Sequence, residues 1–445
     1  MKLSEMLHQT KSLKFLAKQK VAFDASDPGT GKTYVEIKDF ERQHKKDKKA
    51  MLVVCPKSLM HAAWANDIKK FAPHLRVSLV YAKNRMEALN ADADVYIINV
   101  DGVKDMLKLK PAFFKKFGRI VIDESTTFKH HTSQRSKALA KIVKNFEYRR
   151  CMSGTPSSNG ICDLWHQYFI LDGGKRLGPS YFGFRNACCT PTQNGPSAAH
   201  IKWTDKPGIE LMVAELIKDI TIRHKFEDCV DIPENHKYAL PIQLSSRHMA
   251  IYNDLKETSL AILREATVTA VNAAVLAQKL LQAASGAVYN DAGQYSSIAT
   301  DRYELVLDLV EERKHSVVFY EWDHQRDELV KEAKKRKLVF AVWNPDQPQI
   351  ATEYQDGHYQ VLFAHPQSAG HGLTLTRGTA TIWASPTYNL EHYLQGLKRV
   401  HRIGQTEKTE TIVIVAEDTI DERVWAALQA KSVNMTNLLL ELEAA

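Results

Sequence analysis

Lys32 and Thr33 close the run Ser26-Asp27-Pro28-Gly29-Thr30-Gly31-Lys32-Thr33, which follows the apolar stretch Val21–Ala25 and precedes a helical pattern through Tyr34-Val35-Glu36-Ile37. Strand, glycine loop and helix, in that order, are what polyphosphate binding requires. Gly29 and Gly31 let backbone N–H groups close on phosphate oxygens, and the helix N-terminus adds positive potential. Lys32 then reaches the β- and γ-phosphates, and Thr33 holds Mg2+. The strict form of such a loop has glycine where this chain has Ser26, so the match is to the shorter Gly-x-Gly-Lys-Thr. The run Ile120-Val121-Ile122-Asp123-Glu124-Ser125 supplies the complementary half, a buried strand ending in two acids that are costly to bury unless a metal lies close. Asp123 is expected to order Mg2+, and Glu124 to polarise an attacking water as general base. By itself a strand-terminal Asp-Glu is a weak signal, more often a helix cap; downstream of the Lys32 loop it becomes a strong one for ATP hydrolysis.

A third set is Arg399 and Arg402, in Gln395-Gly396-Leu397-Lys398-Arg399-Val400-His401-Arg402-Ile403-Gly404-Gln405. Their i, i+3 spacing predicts one shared helix face. Guanidinium is the planar donor suited to the charge that spreads over a γ-phosphate in phosphoryl transfer. His401 has no ligand partner at i±4 and reads as a structural or DNA-facing residue.

These groups need elements to hold them. Short apolar runs rich in β-branched residues recur at Val21–Ala25, Met51–Cys55, Val77–Val80, Tyr96–Ile98, Ile120–Ile122 and Cys151–Ser153. A second series follows at Val317–Tyr320, Val339–Val342, Val361–Ala364, Thr381–Ala384 and Thr411–Val415. Continuous apolarity predicts parallel strands covered on both faces, hence an α/β fold with two doubly wound parallel-sheet lobes. From about Leu164 to Asp301 the strand rhythm fails. A Gly/Pro-rich stretch (Leu171 to Pro207) and long helical patterns (Arg247–Ala287) predict helical insertions there, with Ala266–Ala287 a packed helix rather than a membrane-surface one. The expected division is residues 1–237 and 238–445. The runs Lys45–Lys49 and Lys334–Lys337 read as solvated helix ends rather than nuclear addresses, and no repeat at a solenoid period is present.

At 445 residues, with 44% hydrophobic and 25% charged residues, the chain has ordinary globular composition, which excludes a disordered, collagenous or coiled-coil protein. The net charge of +8 permits polyanion binding without demonstrating it. No run approaches the ~20 apolar residues of a membrane helix, and the first residues lack a signal-peptide core, so no membrane association or export is expected. The six cysteines form no Cys-x-x-Cys pair. Cys188 and Cys189 read as packed thiols, and a reducing cytoplasm is the expected setting.

The motifs in this order resemble helicase superfamily 2 motors of the Swi/Snf type across nearly the whole chain, in a compact form without accessory domains. Leu7-His8-Gln9 resembles the motif that places a glutamine on adenine. Val53–Leu59 with Trp64, and Ile97–Gly102, resemble motifs Ia and Ib. Asp123-Glu124-Ser125 with Phe128-Lys129-His130 stands where the family has Asp-Glu-Ala-His and a basic tail, so Ser125-Thr126 departs from the pattern. Ser153–Asn159 resembles motif III, with Leu164-Trp165 following, and Ile222–Lys225 and Ile232-Pro233 echo later elements. Val317–Tyr320 resembles motif IV, Ser368–Leu375 motif V, and Gln395–Gln405 the most family-specific stretch. Thr419–Glu422 resembles the start of the helix that closes the second lobe. Ala384–Asn389 departs from the family's Phe-Asp-x-x-Trp-Asn.

The resemblance implies two RecA-like lobes with ATP in a cleft, and a monomeric motor stepping along duplex DNA. The implied catalytic set is Lys32, Asp123, Glu124, Gln395, Arg399 and Arg402. Gln9, Gly29, Thr30, Gly31, Lys32 and Thr33 bind the nucleotide, with Thr33 and Asp123 on Mg2+. Lys57, Ser58, Asn99, Lys129, Ser157 and Ser368 would meet DNA phosphates. Compactness suggests a prokaryotic or phage source. Two other readings stay open on sequence alone: a strand-separating DNA or RNA helicase, and an ATP-switched clamp without turnover.

Overall fold

The computed structural model describes residues 6–193, 201–265, 270–290, 292–369 and 373–443. The chain divides into two units. One comprises Met1–Thr190, Thr204–Asp231 and Ser432–Ala445, and the other Pro191–Trp203 and Ile232–Lys431. Among the described residues no helix is long and apolar enough to cross a membrane.

The first unit is built on β1 (Val21–Asp24), β2 (Ala50–Cys55), β3 (Val77–Val80), β4 (Val95–Asn99), β5 (Phe117–Asp123), β6 (Tyr148–Met152) and β9 (Thr221–Ile222). β7 (Cys189–Gln193) and β8 (Ile201–Asp205) pair separately. The seven strands are parallel in the order β3-β4-β2-β5-β6-β1-β9. The chain runs outward from β1 to β3 and then returns. Right-handed crossovers therefore place its helices on opposite faces, the doubly wound arrangement expected from the apolar runs.

The second unit contains β10 (Asn235–Ile242), the antiparallel pair β11 (Ala287–Tyr289) and β12 (Tyr295–Ser297), and then β13 (Ser316–Phe319), β14 (Phe340–Val342), β15 (Val361–Ala364), β16 (Ala380–Trp383) and β17 (Thr409–Ala416). Its parallel sheet has the order β10-β17-β16-β13-β15-β14. The order reverses after β14, so this lobe too is doubly wound. Arg302 sits behind it, fully buried. It donates to the carbonyls of Ala384 (2.9 Å) and Ile414 (3.2 Å) and pairs with Asp421 at 2.6 Å.

Two expectations are corrected. The span Leu164 to Asp301 is not purely helical: β9 extends the first sheet and β10 the second, β7 pairs with β8, and β11 pairs antiparallel with β12. β9 is only two residues long, and β10 carries Asn235, His236, Lys237 and Pro241 on a half-exposed edge, so neither presents a continuous apolar run. Within Ala266–Ala287, residues 266–269 lie outside the described residues. The helix covers Ala270–Ala284, and Ala287 already opens β11. The lysines of both charge runs are exposed at helix ends as expected, while Arg336 is tied to Asp308, Glu311 and Glu332.

β6 carries an unexpected load. Arg150 on β6 and Arg119 on β5 are buried on one face of the sheet, against the helix α2 (Lys32–Asp47), which follows the N-terminal helix α1 (Leu7–Leu16) and starts at the phosphate loop. Glu36, Asp39 and Gln43 meet them at i, i+3, i+7 spacing. Arg119 lies 3.3 Å from Glu36 and 2.6 Å from Asp39 and donates to Gln43 at 2.6 Å, and Arg150 lies 3.5 Å from Asp39. Burial pushes the Glu36 carboxyl up to about 7 despite both arginines. Burial also pushes Asp39 upward, but Arg119 and Arg150 outweigh it and hold Asp39 below the ordinary range. An amide therefore replaces Glu36 more cheaply than Asp39. Glu36, with its folded value raised, contributes stability at low pH that is lost as pH rises from about 4.5 toward 7. Asp39→Asn should lower the unfolding free energy by about 3–5 kcal/mol. Glu36→Gln should cost clearly less and flatten the stability profile across that pH window; urea titrations at several pH values check the order.

Candidate nucleotide and nucleic-acid site

The register of three neighbouring strands builds the first half of the site. Asp24 at the end of β1 pairs with Met152 of β6, and Met152 with Asp123 of β5. The phosphate loop, the Asp123-Glu124 turn and the Ser153-Gly154-Thr155-Pro156 loop therefore leave one sheet edge side by side. This carboxyl edge is where open α/β sheets bind ligands.

The loop itself is held from three sides. Asp24 accepts from Ser26 N–H at 2.9 Å. Asp27 pairs with Arg223 at 2.7 Å and accepts from Phe226 N–H at 3.0 Å, while Ser26 Oγ accepts from His224 N–H at 3.1 Å. Gly29 and Gly31 both take left-handed backbone, φ 92° and 84°. A Cβ at Gly31 would stand 2.6 Å from Gln9 Nε2, and one at Gly154 would stand 2.5 Å from Pro28 Cδ. Thr30 is buried; its hydroxyl donates to the Asp27 carbonyl at 2.9 Å, and its carbonyl lies 2.8 Å from His8 Nε2. Lys32 begins α2 and donates its ammonium to the carbonyls of Ser26 (2.7 Å) and Asp27 (3.1 Å), so positive charge is folded over the cradle. Thr33, half-buried, follows in the first turn.

Asp123 is buried and fixed on both oxygens. Oδ2 accepts from Trp64 Nε1 at 2.8 Å, and Oδ1 from Glu124 N–H at 3.0 Å. Burial raises its carboxyl above the ordinary range, against the Trp64 N–H and the Lys32 ammonium. Glu124 takes left-handed backbone (φ 51°), an unusual conformation for a non-glycine residue and one found at functional turns. A hydroxyl and a carboxylate, Thr33 and Asp123, are hard oxygen donors that suit Mg2+, and a buried carboxylate gains most from a cation beside it.

Gln9 is turned toward its own helix start, where Oε1 accepts from Met6 N–H at 3.2 Å. Beside it, Leu7, His8, Lys11, Arg223, His224 and Lys225 line a cleft of about 290 Å3. Of this neighbourhood the sequence points to Gln9 as the base contact, and Ile222–Lys225 is recognisable only as a family echo.

Ser125 explains one departure from the family pattern. Fully buried, it donates to Gln167 Oε1 at 2.6 Å, and Gln167 Nε2 donates to the Pro156 carbonyl at 2.7 Å. Gln167, on the helix Asp163–Asp172, thus joins the acidic turn to the Ser153–Pro156 loop. No motif pointed to it.

Of the residues expected to meet DNA, Lys57 and Ser58 are exposed just past β2. Asn99 ends β4 in register with Cys55 of β2, so these three share the carboxyl edge of the first sheet. Lys129 instead pairs with Asp163 and donates to Ser158, both at 3.1 Å, with its side chain 12% exposed. Ser157 is buried. In the second unit Ser368 is half-buried and donates to the His365 carbonyl at 2.9 Å; residues 370–372 of the same motif lie outside the described residues.

Arg399 and Arg402 do converge, but not as expected. The helix Leu390–Val400 ends before Arg402, so the two do not share a helix face. The backbone turns at His401 (φ −88°, ψ 83°) and again at Gly404 (φ 99°), and His401 Nε2 anchors the turn on the Pro233 carbonyl at 3.0 Å. Both guanidiniums then reach the Leu373 carbonyl, Arg399 at 3.2 Å and Arg402 at 2.6 Å. Gln395 is buried one turn earlier and its carbonyl accepts from Arg399 Nε at 3.0 Å. Gln405 Nε2 clamps the same region through the Thr376 (3.0 Å) and Gly378 (2.9 Å) carbonyls.

The Gln167 bridge is testable. Gln167→Leu should orphan the Ser125 hydroxyl and the Pro156 carbonyl and cost about 1–3 kcal/mol per group. Adding Ser125→Ala removes one orphan, so the double variant should unfold at higher urea than Gln167→Leu alone.

Comparison with known proteins agrees with these motifs. Residues 8–286 match the SNF2-related domain. A putative protein, p41, of Acyrthosiphon pisum secondary endosymbiont phage 1 is 30% identical over 435 residues, 93% of each chain. An uncharacterized ATP-dependent helicase of Mycoplasma genitalium and the putative ATP-dependent helicase/translocase YwqA of Bacillus subtilis are each 23% identical. They cover 94% and 92% of this chain, which spans only 40% and 45% of their own lengths. A solved Sulfolobus solfataricus SWI2/SNF2 ATPase core in complex with dsDNA aligns over the whole chain and 96% of its own, at 20% identity and a TM-score of 0.47. With the phosphate loop, the acidic turn and the paired arginines set on two doubly wound lobes, the chain belongs to the SNF2-related family, the Swi/Snf-type ATPases of helicase superfamily 2.

Proposed function

We propose that the chain hydrolyses ATP to translocate along double-stranded DNA without regard to base sequence, remodelling the DNA or displacing what is bound to it. One observation carries the reading: the register of β1, β6 and β5 sets the Lys32 loop beside Asp123 and Glu124, on the sheet edge that also carries Lys57, Ser58 and Asn99. ATP chemistry and backbone contact then belong to one rigid element. In this reading Gly29, Thr30, Gly31 and Lys32 hold the polyphosphate, and the cleft beside Gln9 receives the base. Thr33 and Asp123 would hold Mg2+, which neutralises charge on the phosphates when bound. Glu124 accepts the proton of the attacking water, and Arg399 and Arg402, steadied by Gln395, deliver positive charge to the γ-phosphate during turnover.

Residues 1–237 form the ATP-binding region and 238–445 the C-terminal region of this motor. A monomer in the cytoplasm of a bacterial or phage-infected cell is the setting in keeping with the phage and bacterial relatives. Lys57 and Ser58 are the leading DNA contacts; Lys129 serves first to brace the edge, and Ser157 is buried beneath it. Duplex rather than single-strand tracking is supported by the His401–Gln405 stretch, the most family-specific in the chain.

Lys32→Ala should abolish turnover, whereas Glu124→Gln should bind nucleotide and fail to hydrolyse it, because the amide keeps the shape but takes no proton. Arg399→Ala or Arg402→Ala should cut kcat by about 10³ with little change in nucleotide affinity. Phosphate release with and without duplex DNA reads all four; normal turnover in both arginine variants would remove the finger role.

Duplex DNA should stimulate hydrolysis in a salt-sensitive, sequence-indifferent way, since each neutralised phosphate releases counterion. A triplex-displacement assay should report movement on intact duplex. Fork unwinding without triplex displacement would replace this reading with a strand-separating helicase, and stimulation by RNA alone would change the substrate class.

A further inference from the structure

Trp64 stands out among the buried groups that the proposed chemistry leaves unused. It has no exposed surface and belongs to a core cluster that includes Cys55, Met60, Ile68, Val121 and Met152, where any large apolar side chain would serve for packing. Its indole N–H nevertheless points at a carboxylate, Asp123 Oδ2, at 2.8 Å. A hydrogen bond to a charged acceptor in a buried setting is worth more than a neutral one and constrains direction as well as distance.

The backbone that presents Trp64 is irregular at this point. After the single turn Lys57–Leu59 the chain widens into a π-type segment, Met60–Ala65, before resuming as the helix Asn66–Phe71. A π segment lengthens the hydrogen-bond ring and turns the following side chains relative to an α-helix. Such segments are rare and concentrate at functional sites. Here the shifted residue is the one whose N–H reaches the acidic turn. The same run begins with Lys57 and Ser58, exposed at the carboxyl edge of the sheet.

We propose that Trp64 is a positioning residue: its N–H fixes the rotamer of Asp123 and ties the carboxylate to the segment that carries Lys57 and Ser58. The inference rests on the ATP and DNA reading above and adds a route between them. With Oδ2 held by Trp64 and Oδ1 by the Glu124 N–H, the carboxylate plane is set from both sides, and its remaining lone pairs are those open to a cation. Outer donors of this kind typically change metal affinity by about 10–100-fold when removed. A phosphate drawn against Lys57 and Ser58 pulls on the run that ends in Trp64, so nucleic acid adjusts the carboxylate without touching it.

The test is the affinity of the full chain for a fluorescent ADP analogue, in excess Mg2+ and in EDTA, each with and without a DNA duplex. In Trp64→Phe the Mg2+-dependent gain in affinity should fall by about tenfold or more, while affinity in EDTA and for the duplex stays within about twofold. The benzothiophene analogue of tryptophan at position 64 keeps the size and lacks the donor, so it should behave as Trp64→Phe even if the smaller ring disturbs folding. Trp64→His, which retains a ring N–H, should recover part of the gain. Duplex should alter the Mg2+-dependent gain in the wild type and leave it unaltered in Trp64→Phe. An unchanged gain in both donor-less forms, a parallel loss with and without Mg2+, or an equal duplex effect in wild type and Trp64→Phe would overturn the proposal. A wild-type chain whose ADP affinity ignores Mg2+ would instead remove the underlying nucleotide reading, and one that does not bind the duplex would remove the DNA reading, each taking this inference with it; a duplex that binds without altering the Mg2+-dependent gain would overturn the proposed route alone. That failure is visible before any variant is made.

Discussion

Arg119 and Arg150 lie on adjacent strands beneath the first sheet with almost no access to solvent, and they can stay charged there only if carboxylates come to them. The helix that begins at Lys32 brings Glu36 and Asp39 on the face it turns to the sheet. That constraint fixes the helix against β5 and β6 along its first two turns. The rest of the unit depends on it, because the same helix starts where the phosphate loop ends and the same strands end in Asp123 and Met152. Rotating α2 to a different face would leave two guanidiniums unpaired in the core. The ion-pair cluster thus sets where the loop's N–H groups point relative to the acidic turn. Arg150 extends the link by donating to the carbonyls of Gln19 and Lys20, just before β1.

Above this base the site is joined by hydrogen bonds between loops that are far apart in sequence. Arg223 holds Asp27, Gln167 joins Ser125 to Pro156, and Trp64 holds Asp123. Each bond satisfies a buried polar group that would otherwise be costly, and each links one loop of the motif series to another part of the site. The second unit follows the same logic, with Gln405 and the two arginines gathering the carbonyls of residues 373–378. Arg302 with Asp421 locks the strand ends behind them. In both units polar groups positioned by buried bonds, rather than by loop rigidity alone, determine the geometry of the sheet edge.

Ser125 shows how a departure from a family pattern is accommodated. Where alanine would leave Gln167 Oε1 without this donor, serine supplies it, and the linkage between the acidic turn and the Ser153–Pro156 loop runs through Gln167. Asn389, retained at the end of the otherwise divergent Ala384–Asn389 segment, caps the helix Leu390–Val400 by accepting from His392 N–H. Local chemistry keeps what the geometry needs and lets the remainder vary.

Sequence alone determined the two strand series, the glycine loop, the acidic turn and the arginine pair, because continuous apolar runs and short fixed spacings are local signals. It located the first sheet's strands to within a few residues while placing the start of β6 too late, since Tyr148-Arg149-Arg150 does not look like core. It also missed β9 and β10, whose strands are too short or too polar to read without their partners. A shared helix face for Arg399 and Arg402 followed from spacing; only the fold shows the helix ending at Val400 and the pair converging through the Leu373 carbonyl. Gln167, Arg119 and Arg150 were likewise invisible as site-forming residues, and Trp64 was legible only as part of a motif, not as a partner of Asp123. Their roles come from partners 42 to 111 positions away, and no periodicity encodes which buried donor will face which acceptor. Composition and spacing set which chemistry is available. Burial, which makes an unpaired polar group too costly to leave, decided in three dimensions which residues must hold it in place.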